Sequence, residues 1–184
     1  MFAFKFEKAL QATAYLLRRE SSHDMNYMRL LKVLYLAERE SIRQTGRPIT
    51  GDRVAAMTRG PVLSEVFALI KGEHLRSPQW ARFIGRDEYK VRLLDDPGQS
   101  CLSRFDIETL ERVAEDCRSF DEWEMVAYTH DRCPEWKKNE PQDPDKSNWI
   151  PLADILEALG RSEDLPAIEQ DAKAERAFAH LFGA

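Results

Sequence analysis

The feature that most constrains this chain is a long stretch with helical periodicity, residues 25–45. Its large apolar residues recur three or four positions apart and form one broad face: Tyr27, Leu30, Leu31, Leu34, Tyr35 and Ala37. Gly46 and Pro48 follow the stretch, which is the usual chemistry of a helix end. A helix with so wide an apolar face needs other elements to cover it, so the pattern predicts a mainly helical fold.

The same periodicity predicts further helices along the chain. They are expected at 5–20, 62–71, 80–84, 103–117, 121–133, 152–159 and 165–181. Ser22 or Asp24 is the expected N-cap of the long helix, and Pro61 suits the first position of the helix at 62–71. Ser103 and Asp106 resemble a capping box. Pro134 is expected to stop the helix before it, and a polar loop should separate it from the two C-terminal helices.

Two short segments have strand-like patterns. Residues 89–94 alternate apolar and polar side chains at period two, and residues 53–58 are compatible with a strand or a helical turn. Because a single strand is not stable alone, we expect the two segments to pair. The predicted fold is therefore mainly α (α+β), a single domain over 1–184 with about six to seven helices and a small two- or three-stranded antiparallel sheet.

Composition and charge narrow the functional classes. Apolar residues make up 43% of the chain and charged residues 32%, with no apolar run long enough to span a bilayer. The first 60 residues carry a formal charge of +5 and the rest carry −10. An acidic chain without a basic stripe argues against nonspecific nucleic-acid binding. The N-terminus lacks the apolar core of a signal peptide, so a cytoplasmic protein without membrane association is expected.

The candidate catalytic and metal-binding residues form no recognisable motif. Three cysteines lie far apart without a CxxC pair, which argues against a zinc ribbon. His130 and Cys133 are spaced to pair as base and nucleophile, but no third orienting group or oxyanion element adjoins them. His130, Asp131 and Cys133 are a poor beginning for a metal site. We therefore expect no enzyme activity, no catalytic residue, no metal and no cofactor.

The helix at 25–45 also allows a DNA-binding interpretation. It follows another helix after a short polar turn, and part of its surface is basic: Arg29, Lys32, Arg39 and Arg43. Glu38 and Glu40 interrupt any phosphate-binding track, and the arginines could simply solvate the face opposite the apolar one. Both interpretations of these cations remain open at the level of sequence.

Several blocks, in order along the chain, resemble the Panacea domain of SocA-type antitoxins. The blocks are 29–40 (RLLKVLYLAERE), 46–52 (GRPITGD), 55–62 (AAMTRGPV), 102–106 (LSRFD), 129–131 (THD) and 134–138 (PEWKK). Together they place the resemblance over residues 25–140, with the helices at 151–182 beyond it. The domain is also found in phage-associated proteins, which implies a mobile-element or prophage origin.

The resemblance implies a helical, non-enzymatic protein that binds and neutralises a cognate toxin encoded by an adjacent gene. Members of the family either occlude the toxin or deliver it as an adaptor to a housekeeping protease. Some members carry an additional N-terminal DNA-binding domain, and the residues before the match are too few for one. Because part of the helix at 25–45 is basic, a DNA-binding transcriptional regulator of a mobile-element or prophage operon is the alternative function. A homo-oligomer is compatible with the sequence.

The resemblance also selects candidate partner-binding residues, which are Lys32, Tyr35, Arg47, Arg59, His130, Trp136 and Lys137. A buried Tyr35 hydroxyl would need a partner, and His130 at a helix end could bond loose carbonyl groups. Trp136, flanked by lysines, is the best candidate for an interface anchor. A structural role is the alternative at each position.

Overall fold

The computed structural model describes residues 2–182, with side chains described through Phe178. Within those residues the chain forms nine α-helices and six short strands. The helices are α1 (Phe6–Arg19), α2 (Tyr27–Thr45), α3 (Ser64–Lys71), α4 (Ser77–Trp80), α5 (Arg104–Asp116), α6 (Glu122–Arg132), α7 (Pro134–Lys138), α8 (Leu152–Ala158) and α9 (Leu165–Phe182). The strands are β1 (Asp24–Asn26), β2 (Val54–Met57), β3 (Gly60–Leu63), β4 (Ile84–Asp87), β5 (Lys90–Leu93) and β6 (Asn148–Trp149). The mainly α (α+β) fold class is confirmed, with more helices than expected.

Helix α2 is the element around which the others pack. It contacts α1, α5, α6 and β3. The Asn26 side chain caps its N-terminus by accepting a hydrogen bond from the Met28 amide at 2.9 Å, and Gly46 ends it at φ 75°, in the left-handed region that favours glycine. The expected helix is confirmed from residue 27. Its first two expected residues belong to β1 instead, because Asn26 rather than Ser22 or Asp24 is the cap.

The strands form two separate antiparallel sheets, of order β3–β2–β6 and β1–β5–β4. The expected pairing of 53–58 with 89–94 is wrong. Strand β2 pairs with β3, and strand β5 pairs with β4, each across a two-residue turn. These hairpins close far shorter loops than the expected pairing would, so they cost less chain entropy.

The start of α3 also differs from the expectation. Pro61 lies inside β3, and the helix begins only at Ser64. The Asp52 carboxylate accepts hydrogen bonds from the Glu65 and Val66 amides, both at 2.9 Å. These amides belong to the first turn of α3 and have no partner within the helix, so Asp52 stabilises a helix start at Ser64. The prediction of a short helix at 80–84 is wrong. The short helix of this region is α4, which ends at Trp80, and residue 84 begins β4.

The second half of the chain follows the predicted pattern more closely. Ser103 and Asp106 form the expected capping box at the start of α5. Helix α6 ends at Arg132, before Pro134, but Pro134 itself then begins α7. Helices α8 and α9 correspond to the two expected C-terminal helices.

Charged side chains interrupt an otherwise apolar core. One cluster of buried apolar side chains includes residues from Phe2 to Ala172, and Lys32, Glu38 and Glu135 are buried beside it with at most 3% exposure. Glu38 is satisfied there, because its carboxylate accepts hydrogen bonds from the Ile49 amide and from the amide and hydroxyl of Thr50. Across residues 2–182, no helix combines the length and apolarity needed to cross a membrane.

Candidate functional site

Four of the seven predicted site residues come together inside the protein. Lys32 and Tyr35 on α2 meet His130 on α6 and Trp136 on α7, beside the hairpin of β2 and β3. Lys32, Tyr35 and Trp136 are at most 3% exposed, and His130 is half-buried. We call this group and its neighbours the polar cluster; its members are Lys32, Tyr35, Arg39, Thr129, His130, Cys133, Glu135 and Trp136. Its burial means that most of these side chains do not form an exposed contact face.

One part of the polar cluster is a completely satisfied ionic group. The Glu135 carboxylate is 1% exposed and accepts a hydrogen bond from Arg39 Nε at 2.6 Å on the same oxygen to which the Tyr35 hydroxyl donates. Burial, with the nearby carboxylate, raises the pKa of Tyr35 well above its ordinary value, so its hydroxyl remains a donor. Neither Arg39 nor Glu135 was selected from the sequence. In the sequence, Arg39 stands out only as one of the basic residues of the helix at 25–45, and Glu135 only as an acidic residue within the basic and aromatic block 134–138.

Lys32 lies in the same cluster without such a partner. Its side chain is 1% exposed, and its ammonium makes no hydrogen bond or ion pair with any residue that the structure describes. Burial lowers the pKa of Lys32 to about 8, and the positive charge of Arg59 acts in the same direction. The lysine therefore remains mostly protonated at neutral pH, as a buried cation.

Gly60 allows the ammonium of Lys32 to lie against the β2–β3 hairpin. Its φ is +104°, and a Cβ at this position would lie 3.0 Å from Thr129 Oγ1 and 3.1 Å from Lys32 Nζ. Any larger residue would therefore meet both a strained backbone and a close contact. The close contact and the positive φ together give a physical reason for the glycine of the Gly-Pro pair in the block at 55–62.

His130 is held by stacking and has one unsatisfied nitrogen. Its ring lies 3.7 Å from that of Trp136 with only 10° between their planes. Trp136 is fixed in turn because its Nε1 donates a hydrogen bond to the Met57 carbonyl at 2.9 Å. Within the described residues, His130 Nε2 is buried and has no hydrogen-bond partner. Burial lowers the pKa of His130, and the nearby charge of Lys32 lowers it further, so the neutral form of the imidazole is favoured.

The environment of Cys133 does not support the Cys–His nucleophile considered from the sequence. Burial, and then the charge of Glu135, raises the pKa of its thiol to about 12. The reactive form of cysteine is the thiolate, which this environment disfavours at neutral pH. In the part of the chain that the structure describes, no group of three or more histidine, cysteine or acidic side chains is placed to hold a metal ion.

A surface groove lies next to the polar cluster and shares the β2–β3 turn with it. It encloses about 700 Å³ and is lined by Asn26, Tyr27, Met28, Arg59, Asp87, Glu88, Tyr89, Lys90, Glu122 and Trp123. We call it the aromatic groove, because Tyr89 is 64% exposed and Trp123 is 56% exposed. The Arg59 guanidinium lies 5.0 Å from the centre of the Trp123 ring. Of the predicted site residues, Arg59 is the one that faces this groove.

The walls of the aromatic groove are held in place by backbone contacts. The Tyr27 amide donates a hydrogen bond to the Tyr89 carbonyl at 2.8 Å, and their rings stack with centres 6.3 Å apart. Trp123 lies in the first turn of α6, where the Asp121 carboxylate accepts a hydrogen bond from its amide at 2.8 Å. The aromatic side chains are therefore exposed on fixed backbone, a property that sequence periodicity did not reveal.

The remaining two predicted residues lie away from this arrangement. Arg47 pairs with Asp171 of α9 at 2.8 Å, with both side chains 56% exposed. Lys137 is exposed on α7, and its ammonium makes no hydrogen bond or ion pair with any described residue. Trp136, expected to be the best interface anchor, is an internal residue. The structure thus joins Lys32, Tyr35, His130 and Trp136, places Arg59 at their border, and separates Arg47.

The basic side chains of α2 do not form a free cationic track. Arg29 pairs with Glu20 at 2.7 Å, Arg39 binds Glu135, and Arg43 pairs with Glu40 at 2.7 Å. Lys32, the fourth, is buried. A protein that neutralises DNA phosphates needs cations that are available to them. The DNA-binding alternative therefore gains no support from this helix.

Comparison with known proteins identifies one family. The profile of the family described as "Antitoxin SocA-like, Panacea domain" matches residues 30–137, more than half of the chain. The matching region contains the entire polar cluster and the groove residues Arg59, Tyr89 and Trp123. The comparisons with curated proteins and with solved structures found no match.

Proposed function

Because this chain belongs to the SocA-like antitoxin family, whose members carry the Panacea domain, we propose that it is the antitoxin of a toxin–antitoxin system. It binds and neutralises, in the cytoplasm, a toxin encoded by an adjacent gene. The protein acts by binding and not by catalysis. The family match is the observation that carries this proposal, and the region matched contains seven of the ten residues that line the aromatic groove.

The aromatic groove is the contact surface that we assign to the toxin. Exposed aromatic side chains together with arginine are the residue types that most often dominate the binding energy of protein interfaces. Trp123 and Tyr89 are held on capped or hydrogen-bonded backbone, so little conformational entropy is lost when a partner covers them. Acidic and basic side chains at the rim, among them Glu122 and Lys90, provide charge complementarity to a specific partner.

The proposal is tested by co-expression with the product of the adjacent gene. That product should arrest growth alone and be tolerated when this protein is present. Trp123→Ala should lose protection, because it removes the central anchor of the groove. The matched control is Trp149→Ala on β6: Trp149 is 52% exposed and has Arg53 4.3 Å above its ring, but it lies outside the groove.

The outcomes separate the two parts of the proposal. If no neighbouring gene product becomes tolerable in the presence of this protein, the antitoxin function is wrong. If the wild-type protein protects and both tryptophan variants protect equally, the antitoxin function stands and the groove is not the contact surface.

We further propose that binding at the groove prepares the toxin for removal by a housekeeping protease, as in the adaptor mode known for this family. The toxin's half-life distinguishes an adaptor from simple occlusion. An adaptor shortens the half-life in cells that contain the protease and leaves it unchanged in cells that lack it. A half-life that does not depend on the protease supports occlusion alone.

A further inference from the structure

Another cavity lies between the region matched by the family profile and the C-terminal helices. It encloses about 380 Å³. One wall comes from α2 and β2, within the matched residues, and the other comes from β6, α8 and α9, beyond them. Most of the lining is apolar and includes side chains that are at most 8% exposed: Phe2, Ile42, Val54, Ile150 and Ile155. A cavity of this size with apolar walls and a few polar groups is typical of a small-molecule site.

The charged side chains of this cavity are mainly acidic. They are Glu38, Asp52, Arg53 and Glu169. Arg53 is already paired with Glu65, which does not line the cavity, at 3.0 Å. Among the described residues, no basic side chain forms an ion pair with the three carboxylates, and those of Glu38 and Asp52 accept hydrogen bonds from backbone amides. The cavity therefore has negative charge that the described side chains leave unbalanced.

The two buried carboxylates of this cavity are linked through Thr50. The Thr50 hydroxyl donates a hydrogen bond to the Glu38 carboxylate and accepts one from the Asp52 amide at 3.2 Å. Each carboxylate oxygen of Asp52 accepts one amide hydrogen bond at 2.9 Å and has a lone pair left for a further donor. Burial raises the pKa of Asp52 to about 7, and the charge of Glu38 acts in the same direction. A cation next to Asp52 would relieve both effects.

We propose that this cavity binds a small amphipathic cation, which is a compact apolar group that carries one ammonium ion. The apolar group lies against Ile42, Val54 and Ile155. The ammonium ion donates a hydrogen bond to Asp52, and Glu38 and Glu169 add negative charge.

The ligand is a free small molecule and not part of the toxin. The cavity has the volume of a small-molecule site, and it shares no lining residue with the aromatic groove that we assign to the toxin. The site goes beyond the proposed antitoxin function and does not depend on it.

The test compares three probes that share an apolar part and differ in their polar group: phenethylamine, phenethyl alcohol and phenylacetate. Isothermal titration calorimetry of the wild-type protein at neutral pH measures a Kd for each. The amine should bind about tenfold more tightly than the alcohol, because hydrogen bonds between charged groups are stronger than those of neutral groups. Phenylacetate should bind most weakly, because its charge has the same sign as the carboxylates.

Asp52→Asn tests the role assigned to this carboxylate. The variant keeps the shape of the side chain and one oxygen for the amides of α3, but it loses the negative charge. The preference for the amine over the alcohol should fall below about threefold. The matched control, Glu163→Gln, removes an exposed acidic side chain outside the cavity and should keep the full preference. If Asp52→Asn does not fold, Glu169→Gln, on the exposed rim, should weaken binding of the amine and leave binding of the alcohol unchanged.

Two tryptophans report where the amine binds. Trp149 lines this cavity and is 52% exposed, whereas Trp123 lines the aromatic groove. Saturation with phenethylamine should change the tryptophan fluorescence of the wild-type protein. The change should be lost in Trp149→Phe and retained in Trp123→Phe.

Several outcomes would overturn the proposal. They are the absence of saturable binding of the amine, equal affinity for the amine and the alcohol, tighter binding of phenylacetate, and a fluorescence change that survives in Trp149→Phe. If Asp52→Asn folds but no longer protects in the co-expression experiment, the cavity receives a basic side chain of the toxin and not a free ligand. Failure of the wild-type protein to protect would overturn the antitoxin function and leave the binding measurements unaffected.

Discussion

Glu135 and Lys32 are two buried charges within one cluster, and their surroundings are opposite. Glu135 receives hydrogen bonds from Arg39 and Tyr35, whereas Lys32 has no partner among the described residues. Cys133 lies close to both groups, so the difference arises over a short distance. A buried charge whose bonds are all internal supports the scaffold, because removing either partner leaves a charge uncompensated. A buried charge without internal bonds instead costs stability at any pH at which it is charged.

The largest loss of stability is expected when the buried ion pair between Arg39 and Glu135 is broken. Arg39→Met leaves the carboxylate of Glu135, whose side chain is fully buried, without its cation. The free energy of unfolding should fall by about 3–5 kcal/mol, the usual cost of removing one member of a buried ion pair. Denaturation in urea measures this loss. A loss below about 1 kcal/mol would show that another cation, with Lys32 the nearest candidate, replaces Arg39.

Removing the unpaired charge of Lys32 is expected to raise the free energy of unfolding instead of lowering it. Burial lowers the pKa of Lys32 from 10.5 to about 8, so at pH 7 the folded protein bears the cost of the buried charge. At roughly 1.4 kcal/mol per pH unit, the cost is about 3 kcal/mol. Lys32→Met should therefore be more stable than the wild-type protein at pH 7 in chloride. Between pH 8 and 10.5 the unfolded state binds more protons than the folded state, so the cost disappears as the pH rises.

Urea denaturation at about pH 7 and about pH 9.5 measures this dependence as the difference between Lys32→Met and the wild-type protein. The difference should shrink by about half or more over this interval. The exposed Lys137→Met serves as the control and should show a small difference that does not change with pH. A stability difference for Lys32→Met that stays constant would mean that the ammonium is balanced within the protein.

Comparing alanine variants of Gly60 and Gly72 separates two costs to stability: the strain of a positive φ, which both positions share, and the crowding of Lys32, which occurs only at Gly60. Both have positive φ, +104° and +80°, but a Cβ on Gly72 meets no described atom within 4 Å. Gly72→Ala should cost about 1 kcal/mol for the backbone conformation alone. Gly60→Ala should cost about 1–2 kcal/mol more, because its Cβ would crowd Lys32 Nζ and Thr129 Oγ1. Equal losses of unfolding free energy in urea would show that the lysine moves away at no cost.

The helices could be predicted from the sequence, but the pairing of the strands could not. The periodicity of α2 and the Ser103–Asp106 capping box are local signals, and the structure confirms both. Alternation over 89–94 indicates a strand but does not name its neighbour. The neighbours were set by two-residue turns, at Thr58–Arg59 and Glu88–Tyr89, which lack the Asn-Gly or Asp-Gly pairs that mark hairpins in a sequence.

For the candidate site, the sequence likewise did not reveal which side chains are exposed to solvent. Four of the residues selected from the family blocks, Lys32, Tyr35, His130 and Trp136, meet in the polar cluster, and their role in partner binding stays a prediction. Which tryptophan faces solvent was not evident, because α7 has only five residues and its orientation is set by a tertiary hydrogen bond from Trp136 to the Met57 carbonyl. Trp123, whose sequence setting is equally polar, is the exposed one.

The smallest effect is expected at an arginine one helical turn from Arg39. Arg43 pairs with Glu40 at 2.7 Å, but its side chain is 52% exposed, so water and salt screen the interaction. Arg43→Met should lower the free energy of unfolding by about 0–1 kcal/mol, and the loss should decrease further at high salt. Urea denaturation at low and high ionic strength, beside Arg39→Met, measures both arginines in the same helix. If the two losses were equal, burial of Glu135 would not be what distinguishes the satisfied charge, and the contrast with Lys32 would lose its physical basis.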